Sequence, residues 1–360
     1  VEAMVDFVRR LETKGLAYKA EDGSVYFSIA AFPDYGRLSR VDPEAVRPGA
    51  RVSMDEYAKE DVRDFALWKA AKPEDEKAGA AWESPWGRGR PGWHLECSVM
   101  SIEELGETLD IHLGGEDLIF PHHEDEIAQS EGATGKTFVR YWLHIKHLRL
   151  EGQKMSKSIG NTVSVGDLLS RGYDPAGIRH QLLSAQYRKE LNFTMGGLDG
   201  SSKAVQRLVD FEARLNEWGV ADEADDTRIP ELSQVALERF RAAMNDDLNS
   251  AEALGALFVF VNEVNAELDR VGSPIPVAHR DRGRETLQSM DEVLGLLELA
   301  RDARAVDVTT EEWIEEQIRL REEARANRDF GAADAIRDTL ADRGVVLEDS
   351  AEGTRWKVVK

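Results

Sequence analysis

Apolar positions repeat with two different periods along the chain, and the change of period divides it. From Val1 to Leu16, Met4, Val5, Phe7, Val8 and Leu11 fall on one face of a 3.6-residue repeat, which predicts a helix. In Ala20 to Ile29 the pair Asp22-Gly23 precedes Val25, Tyr26 and Phe27, a turn and then a strand. The pattern is irregular to about Arg90, with Pro, Gly and aromatics including Trp68, Trp82 and Trp86, as expected of an insertion folded around strands. From Gly92 to Leu169 short apolar runs alternate with helical stretches. "GETLDIHLGGEDLIFPHHEDEIAQSEGA" reads as strand, glycine turn and helix, and "YWLHIKHLRLEG" (Tyr141 to Gly152) as a strand with its return. That texture is produced by half of a nucleotide-binding α/β fold.

Beyond Gly196 the helical period dominates. Val205, Leu208, Val209, Phe211 and Leu215 keep it, as do Leu248, Ala251, Leu254, Leu257 and Phe258, then Met290, Val293, Leu294, Leu296 and Leu297. An acidic connector, "VADEADDTRIPEL", breaks the bundle once. A second acidic break near "RDARAVDVTTEEW" sets off a last unit of one or two charged helices and a terminal hairpin. The expected fold class is α/β plus all-α.

Composition narrows the setting. A chain of 360 residues, 42% hydrophobic, is long enough for two to four domains with real cores. A net charge of −22 repels nucleic acid at long range, so any such binding must use local basic patches. One cysteine excludes a disulfide framework and fits a reducing, cytoplasmic setting. No run of eighteen apolar residues predicts a membrane span, and "VEAMVDFVRR" lacks the apolar core of a signal peptide. The first residue is Val, so processing or a longer parent protein is expected.

Three stretches carry chemistry. "EGQKMSKSIGN" (Glu151 to Asn161) sets Lys154 and Lys157 on a glycine-flanked loop, with hydroxyls such as that of Ser156 beside them. Two cations on a mobile loop suit a triphosphate whose charge moves onto leaving pyrophosphate. In "LGGEDLIFPHH", Gly114 and Gly115 end a strand so that backbone can approach a ligand, and Asp117 stands where a carboxylate can hold ribose hydroxyls. In "FPHHEDE", Pro121 fits the first turn of a helix, so His122 and Glu126 share a face. Cys97, in "GWHLECSVM", is a third possible zinc ligand, but structural zinc takes four. On residue types alone, a buried free cysteine and a helix-start histidine explain the same pattern.

The lysine loop resembles the second signature motif of the class I aminoacyl-tRNA synthetases. The combined run "PGWHLECSVMS…DIHLGGEDLIFPHHEDEIAQSE…YWLH…KMSKSIGN" resembles the cysteinyl-tRNA synthetases. The resemblance implies zinc held by Cys97, His122 and Glu126 together with a fourth ligand, a cysteine near a "HIGH" signature. No "HIGH" occurs in these 360 residues, so an N-terminally truncated chain, inactive alone, is expected, with the fourth ligand outside it. It implies that zinc reads the substrate thiolate. A merely fitting pocket separates near-isosteres such as cysteine and serine by only about 10². Trp93 and His94 match the family's amino acid pocket wall, although a core aromatic and a strand-end histidine account for each singly. ATP, with Mg2+, would meet Gly115, Asp117, Ser156 and Lys157, with Lys154 and Lys157 stabilising the phosphate charge. The partners implied are L-cysteine, ATP and tRNA-Cys, with a monomer favoured over a dimer.

The same resemblance implies five segments. They are a partial connective insertion over 1–91, the second half of a Rossmann catalytic domain over 92–170, a stem-contact junction over 171–200, a helical bundle over 201–305, and a small anticodon-recognition domain over 306–360. Arg179, Arg188 and Lys189 are candidate phosphate contacts, with ordinary helix-surface charge the alternative for each, and Arg355, Trp356 and Lys357 candidate base contacts; Arg321, Arg325 and Arg328 suit i,i+4 pairs with neighbouring Glu equally well. Two rivals share features: a cysteine ligase of mycothiol biosynthesis, which lacks the long helical tail, and a non-catalytic tRNA-binding protein, which would not need the lysine loop or the ligands.

Overall fold

The computed structural model describes residues 1–41, 63–155, 160–326, 329–342, 345–350 and 353–358. Two compact units emerge, one of Val1–His147 with Tyr187–Glu190, the other of Leu148–Gln186 with Leu191–Lys360. The stretch 92–170 is therefore divided between them, with its lysine loop in the second unit.

In the first unit, helix α1 (Glu2–Thr13) buries Met4, Phe7, Val8 and Leu11, the spacing read from the sequence. Strands β1 (Ala17–Lys19), β2 (Val25–Phe27), β3 (Phe65–Ala70) and β4 (Gly89–Pro91) form an antiparallel sheet in chain order, with the short helix α2 (Pro73–Lys77) between the last two. Strand β1 was not anticipated: three residues, Ala-Tyr-Lys, two half-buried and the last exposed, show no alternation to detect. Phe27 stacks on Phe65 at 5.0 Å, and Trp68 is fully enclosed beneath them.

The catalytic-type half follows as α3 (Trp93–Leu105), β5 (Leu109–Gly115), α4 (Glu124–Thr134) and β6 (Val139–Ile145). β5 and β6 pair in parallel, Ile111 opposite Tyr141 and Gly115 opposite Ile145. Parallel neighbours need a crossover, and α4 supplies it. Leu11, Leu95, Val99, Ala128 and Ala133 place α1, α3 and α4 in one core.

In the second unit β7 (Leu148–Leu150) pairs antiparallel with β8 (Gln153–Lys154) and parallel with β9 (Leu191–Phe193). The expected return of "YWLHIKHLRLEG" is thus corrected. β7 does not fold back on β6; its hairpin partner is β8, across the tight turn at Gly152, whose φ of +78° suits glycine. Helices α5 (Val165–Ser170) and α6 (Pro175–Leu183) lead on, α6 capped by the Asp174 carboxylate. The bundle consists of α7 (Met195–Glu217), α8 (Ile229–Asn245), α9 (Ser250–Val271), α10 (Val277–Leu294) and α11 (Leu296–Ala326). Phe211 meets Phe260 edge-on at 5.9 Å in its core. The acidic connector does separate α7 from α8. The second expected break does not occur, because α11 runs as one helix through "RDARAVDVTTEEW". Acidic residues are ordinary helix formers when solvated, so charge density alone was a poor stop signal. A helix α12 (Phe330–Asp342) and the hairpin β10 (Val345–Ser350) with β11 (Gly353–Val358) complete the chain. Among the described residues no helix is long and apolar enough to cross a membrane.

Candidate metal centre and nucleotide loop

Phe120 is extended (φ −137°, ψ 130°), so the helical run starts at Pro121 and continues into α4. His122 and Glu126 consequently sit one turn apart, His122 Nε2 lying 2.8 Å from Glu126 Oε1. Cys97 comes from the second turn of α3, and its sulfur, one His122 nitrogen and one Glu126 oxygen all lie within 4.8 Å of one another. Both Glu126 oxygens are buried, and neither meets a donor at hydrogen-bonding geometry. Its nearest polar neighbours are His122 Nε2 at 2.8 Å and His112 Nε2 at 3.5 Å, and an enclosed carboxylate without full hydrogen bonding is costly. A cation among these three groups would satisfy it, and thiolate, imidazole and carboxylate are zinc ligands. The donor set therefore fits zinc. For His122, burial disfavours the charged ring, but Cys97 and Glu126 outweigh it and push it up to about 9. Proton and metal would compete for that one lone pair.

Behind His122 runs a chain of polar contacts. His94 Nδ1 is 2.6 Å from His122 Nδ1, and His94 Nε2 is 3.2 Å from Asp125 Oδ2. The Tyr35 hydroxyl donates to Asp125 Oδ1 at 2.5 Å. The neighbouring Glu124 carboxylate accepts the backbone N–H groups of Gly36 and Ser39, at 2.8 and 2.7 Å. Burial, then the charge of His122, drives His94 down to about 3, so its ring is neutral. Burial also raises the Asp125 carboxyl, with the Tyr35 hydrogen bond opposing it.

Three further histidines, not picked out from the sequence, complete the cluster. His112 Nε2 is 3.5 Å from Glu126 Oε2, and His123 Nδ1 is 2.8 Å from His144 Nε2. Burial, then neighbouring histidines, holds His123 down at about 3. A usable signal existed: His144 lies near the C-terminal end of β6, where α/β sheets bind ligands, with His112 midway along β5. The two strand-end glycines also lie close to the chain's own side chains. A β-carbon at Gly114 would fall 2.5 Å from the His123 ring, and one at Gly115 would fall 2.4 Å from Asp117 Oδ1. The chain's own side chains take that space. Asp117 is exposed, with His147 Nε2 3.8 Å away. Trp93 is also exposed, its ring 4.4 Å from that of His122.

In the second unit Lys154 is exposed on β8, and its carbonyl accepts from Asn161 Nδ2 at 3.0 Å. Ser156 and Lys157 lie outside the described residues. Arg179 is exposed, and its Nε donates to the Leu294 carbonyl at the end of α10. Arg188, back in the first unit, lies over the Tyr187 ring at 5.0 Å, and Lys189 is exposed. Trp356 is half-buried against Ile314, Ile318 and Leu340, so packing takes much of the ring proposed for base contact. Arg355 and Lys357 stand opposite Glu348 and Val346 in the terminal hairpin, and their side chains lie outside the described residues.

Residues 1–203 match the class I (C) tRNA synthetase catalytic domain, residues 239–298 the DALR domain, and residues 311–356 the cysteinyl-tRNA ligase anticodon binding domain. Methionyl-tRNA synthetase of Mycobacterium tuberculosis, solved with methionyl-adenylate, shares the fold with a TM-score of 0.52 at 17% identity, over 82% of this chain and 70% of that one. Fold and domain order define a class I aminoacyl-tRNA synthetase. The cysteine–tRNA ligases of Solibacter usitatus and Koribacter versatilis are 46% and 42% identical, over 99% of this chain and 74% and 76% of their own lengths. The chain belongs to the cysteinyl-tRNA synthetases, and it spans about three quarters of the length of those relatives.

Proposed function

We propose that Cys97, His122 and Glu126 hold a zinc ion that selects L-cysteine, and that the chain contributes this pocket and the lysine loop to cysteinyl-adenylate formation and transfer to tRNA-Cys. The clustering of the buried Glu126 carboxylate with His122 and Cys97, its hydrogen bonding incomplete, carries the reading. Bound there, zinc would coordinate the substrate sulfur as a thiolate, whereas a serine hydroxyl keeps its proton and coordinates weakly. Trp93 and His94 wall the amino acid. Asp117 and Gly115 hold the adenosine of ATP, and Lys154, Ser156 and Lys157 neutralise the phosphates, with Mg2+, as pyrophosphate leaves. Nucleophile and electrophile are both substrate groups, so these residues act by positioning and charge stabilisation.

On the tRNA side, we assign the insertion to 1–91, the catalytic half to 92–170, the stem junction to 171–200, the bundle to 201–305 and the anticodon unit to 306–360. Arg179, Arg188, Lys189, Arg355, Trp356 and Lys357 are the candidate contacts. The match of residues 311–356 to an anticodon binding domain favours tRNA over a small amino-sugar acceptor. By themselves the 360 residues lack "HIGH", so ATP–pyrophosphate exchange by this chain alone is expected to be absent.

Cobalt substitution tests the pocket directly. The chain should bind one cobalt with a thiolate charge-transfer band that Cys97→Ser removes. L-Cysteine should add a second sulfur band, and L-serine none. A chain that binds no metal, or answers both amino acids alike, would sink the proposal.

A further inference from the structure

We infer that Tyr35 and Asp125, acting through His94, are positioning residues that set the tautomer of His122 for metal binding; this rests on the zinc reading above. The contact between His94 Nδ1 and His122 Nδ1, at 2.6 Å, has room for one proton. If His122 carries that proton, its neutral ring presents a bare Nε2 toward Glu126 and Cys97. If His94 carries it, the neutral His122 ring bears its proton on Nε2 and a metal is shut out. Asp125 decides between the two. Its Oδ2 faces His94 Nε2 at 3.2 Å and takes an N–H there, which leaves His94 Nδ1 free to accept from His122. The Tyr35 hydroxyl donates to the other oxygen at 2.5 Å and holds the carboxylate in that orientation.

The contacts form one directional series: Nδ1–H of His122 to His94, Nε2–H of His94 to Asp125, and O–H of Tyr35 to Asp125. Asp125 is 1% exposed and Tyr35 8%, so water does not substitute for either partner. Tyr35 also opens the loop whose backbone N–H groups Glu124 grips, which ties a segment ninety residues upstream to the ligand.

The test is zinc affinity of the 360-residue chain by chelator competition, with cobalt spectra as a second readout. Removing an outer partner of a metal-bound histidine typically weakens binding 10–100-fold. Asp125→Leu and His94→Phe should each fall by about that factor, and Tyr35→Phe should fall less, in the same direction. Asp125→Asn should stay near the parent. Its side-chain oxygen can accept from His94 while its amide donates to the Tyr35 oxygen.

A folded Asp125→Leu or His94→Phe chain that binds as the parent does would overturn the inference. So would an Asn variant as weak as the Leu variant, which would assign the effect to charge. Should Asp125→Leu not fold, His94→Phe and Tyr35→Phe decide the matter. A parent chain that binds no zinc defeats the zinc reading itself, whereas a binding parent with unaffected variants defeats only this one.

Discussion

Helices α4 and α9 both pack into a core, yet they bury opposite kinds of surface. In α9, Ala253, Leu254, Leu257, Phe260, Val261, Val264 and Leu268 turn inward. In α4, Glu124, Asp125, Glu126, Gln129 and Ser130 are as deeply buried as Ile127 and Ala128. The first arrangement lowers free energy by removing apolar area from water, about 25 cal/mol per Å². The second raises it, and persists only because tyrosine, histidine and backbone N–H groups answer most of the acidic oxygens. The bundle is built to be stable. The α4 region is built to hold charge at one point.

The largest expected effect lies on the apolar side. Phe260→Ala should destabilise the bundle by about 3–5 kcal/mol, read from its thermal or denaturant transition, with zinc affinity of the first unit unchanged. Joint loss of both would erase the contrast. The opposite sign is expected in α4. Glu126→Gln, measured with chelator present, should stabilise the metal-free chain by about 1 kcal/mol while abolishing tight zinc binding, since a neutral amide is cheaper to bury than a carboxylate with incomplete hydrogen bonding. A destabilised metal-free variant would mean that the buried charge is already well answered.

The smallest effect comes from a charge inside the bundle. Glu267 is held down at about 2, first by Arg270 and also by the Arg228 N–H at the start of α8. Its depressed value means that it adds stability above its ordinary value of 4.5, lost as pH falls toward 2. Glu267→Gln should therefore flatten the fall in transition midpoint between pH 5 and pH 2. An unchanged slope would show that Glu267 is not a source of it.

The sequence-to-structure comparison follows the same divide. Periodic features were legible: the α1 face, the bundle helices, and the one-turn offset of His122 and Glu126. So was the literal lysine loop. Features made by long-range closure were not. Tyr35 and Asp125 are ninety positions apart, and no local pattern announces that they touch. His123 and His144 meet only because β5 and β6 pair in parallel. The bond from Arg179 to the Leu294 carbonyl joins residues 115 positions apart, which no local pattern announces either. Helix α11 was cut in two on charge alone, although charged residues facing water break no hydrogen bond.

The grip of Glu124 on Gly36 and Ser39 also bears on the order of folding. It closes a loop of more than eighty residues, and such closures come late, after local contacts have formed. α4 can wind early and bring Glu126 beside His122, but Glu124 lacks the Gly36 and Ser39 N–H groups, and Asp125 the Tyr35 hydroxyl, until that segment arrives. Until then Glu124 and Asp125 remain open to water and its cations. The centre gains its selectivity at the last step of assembly.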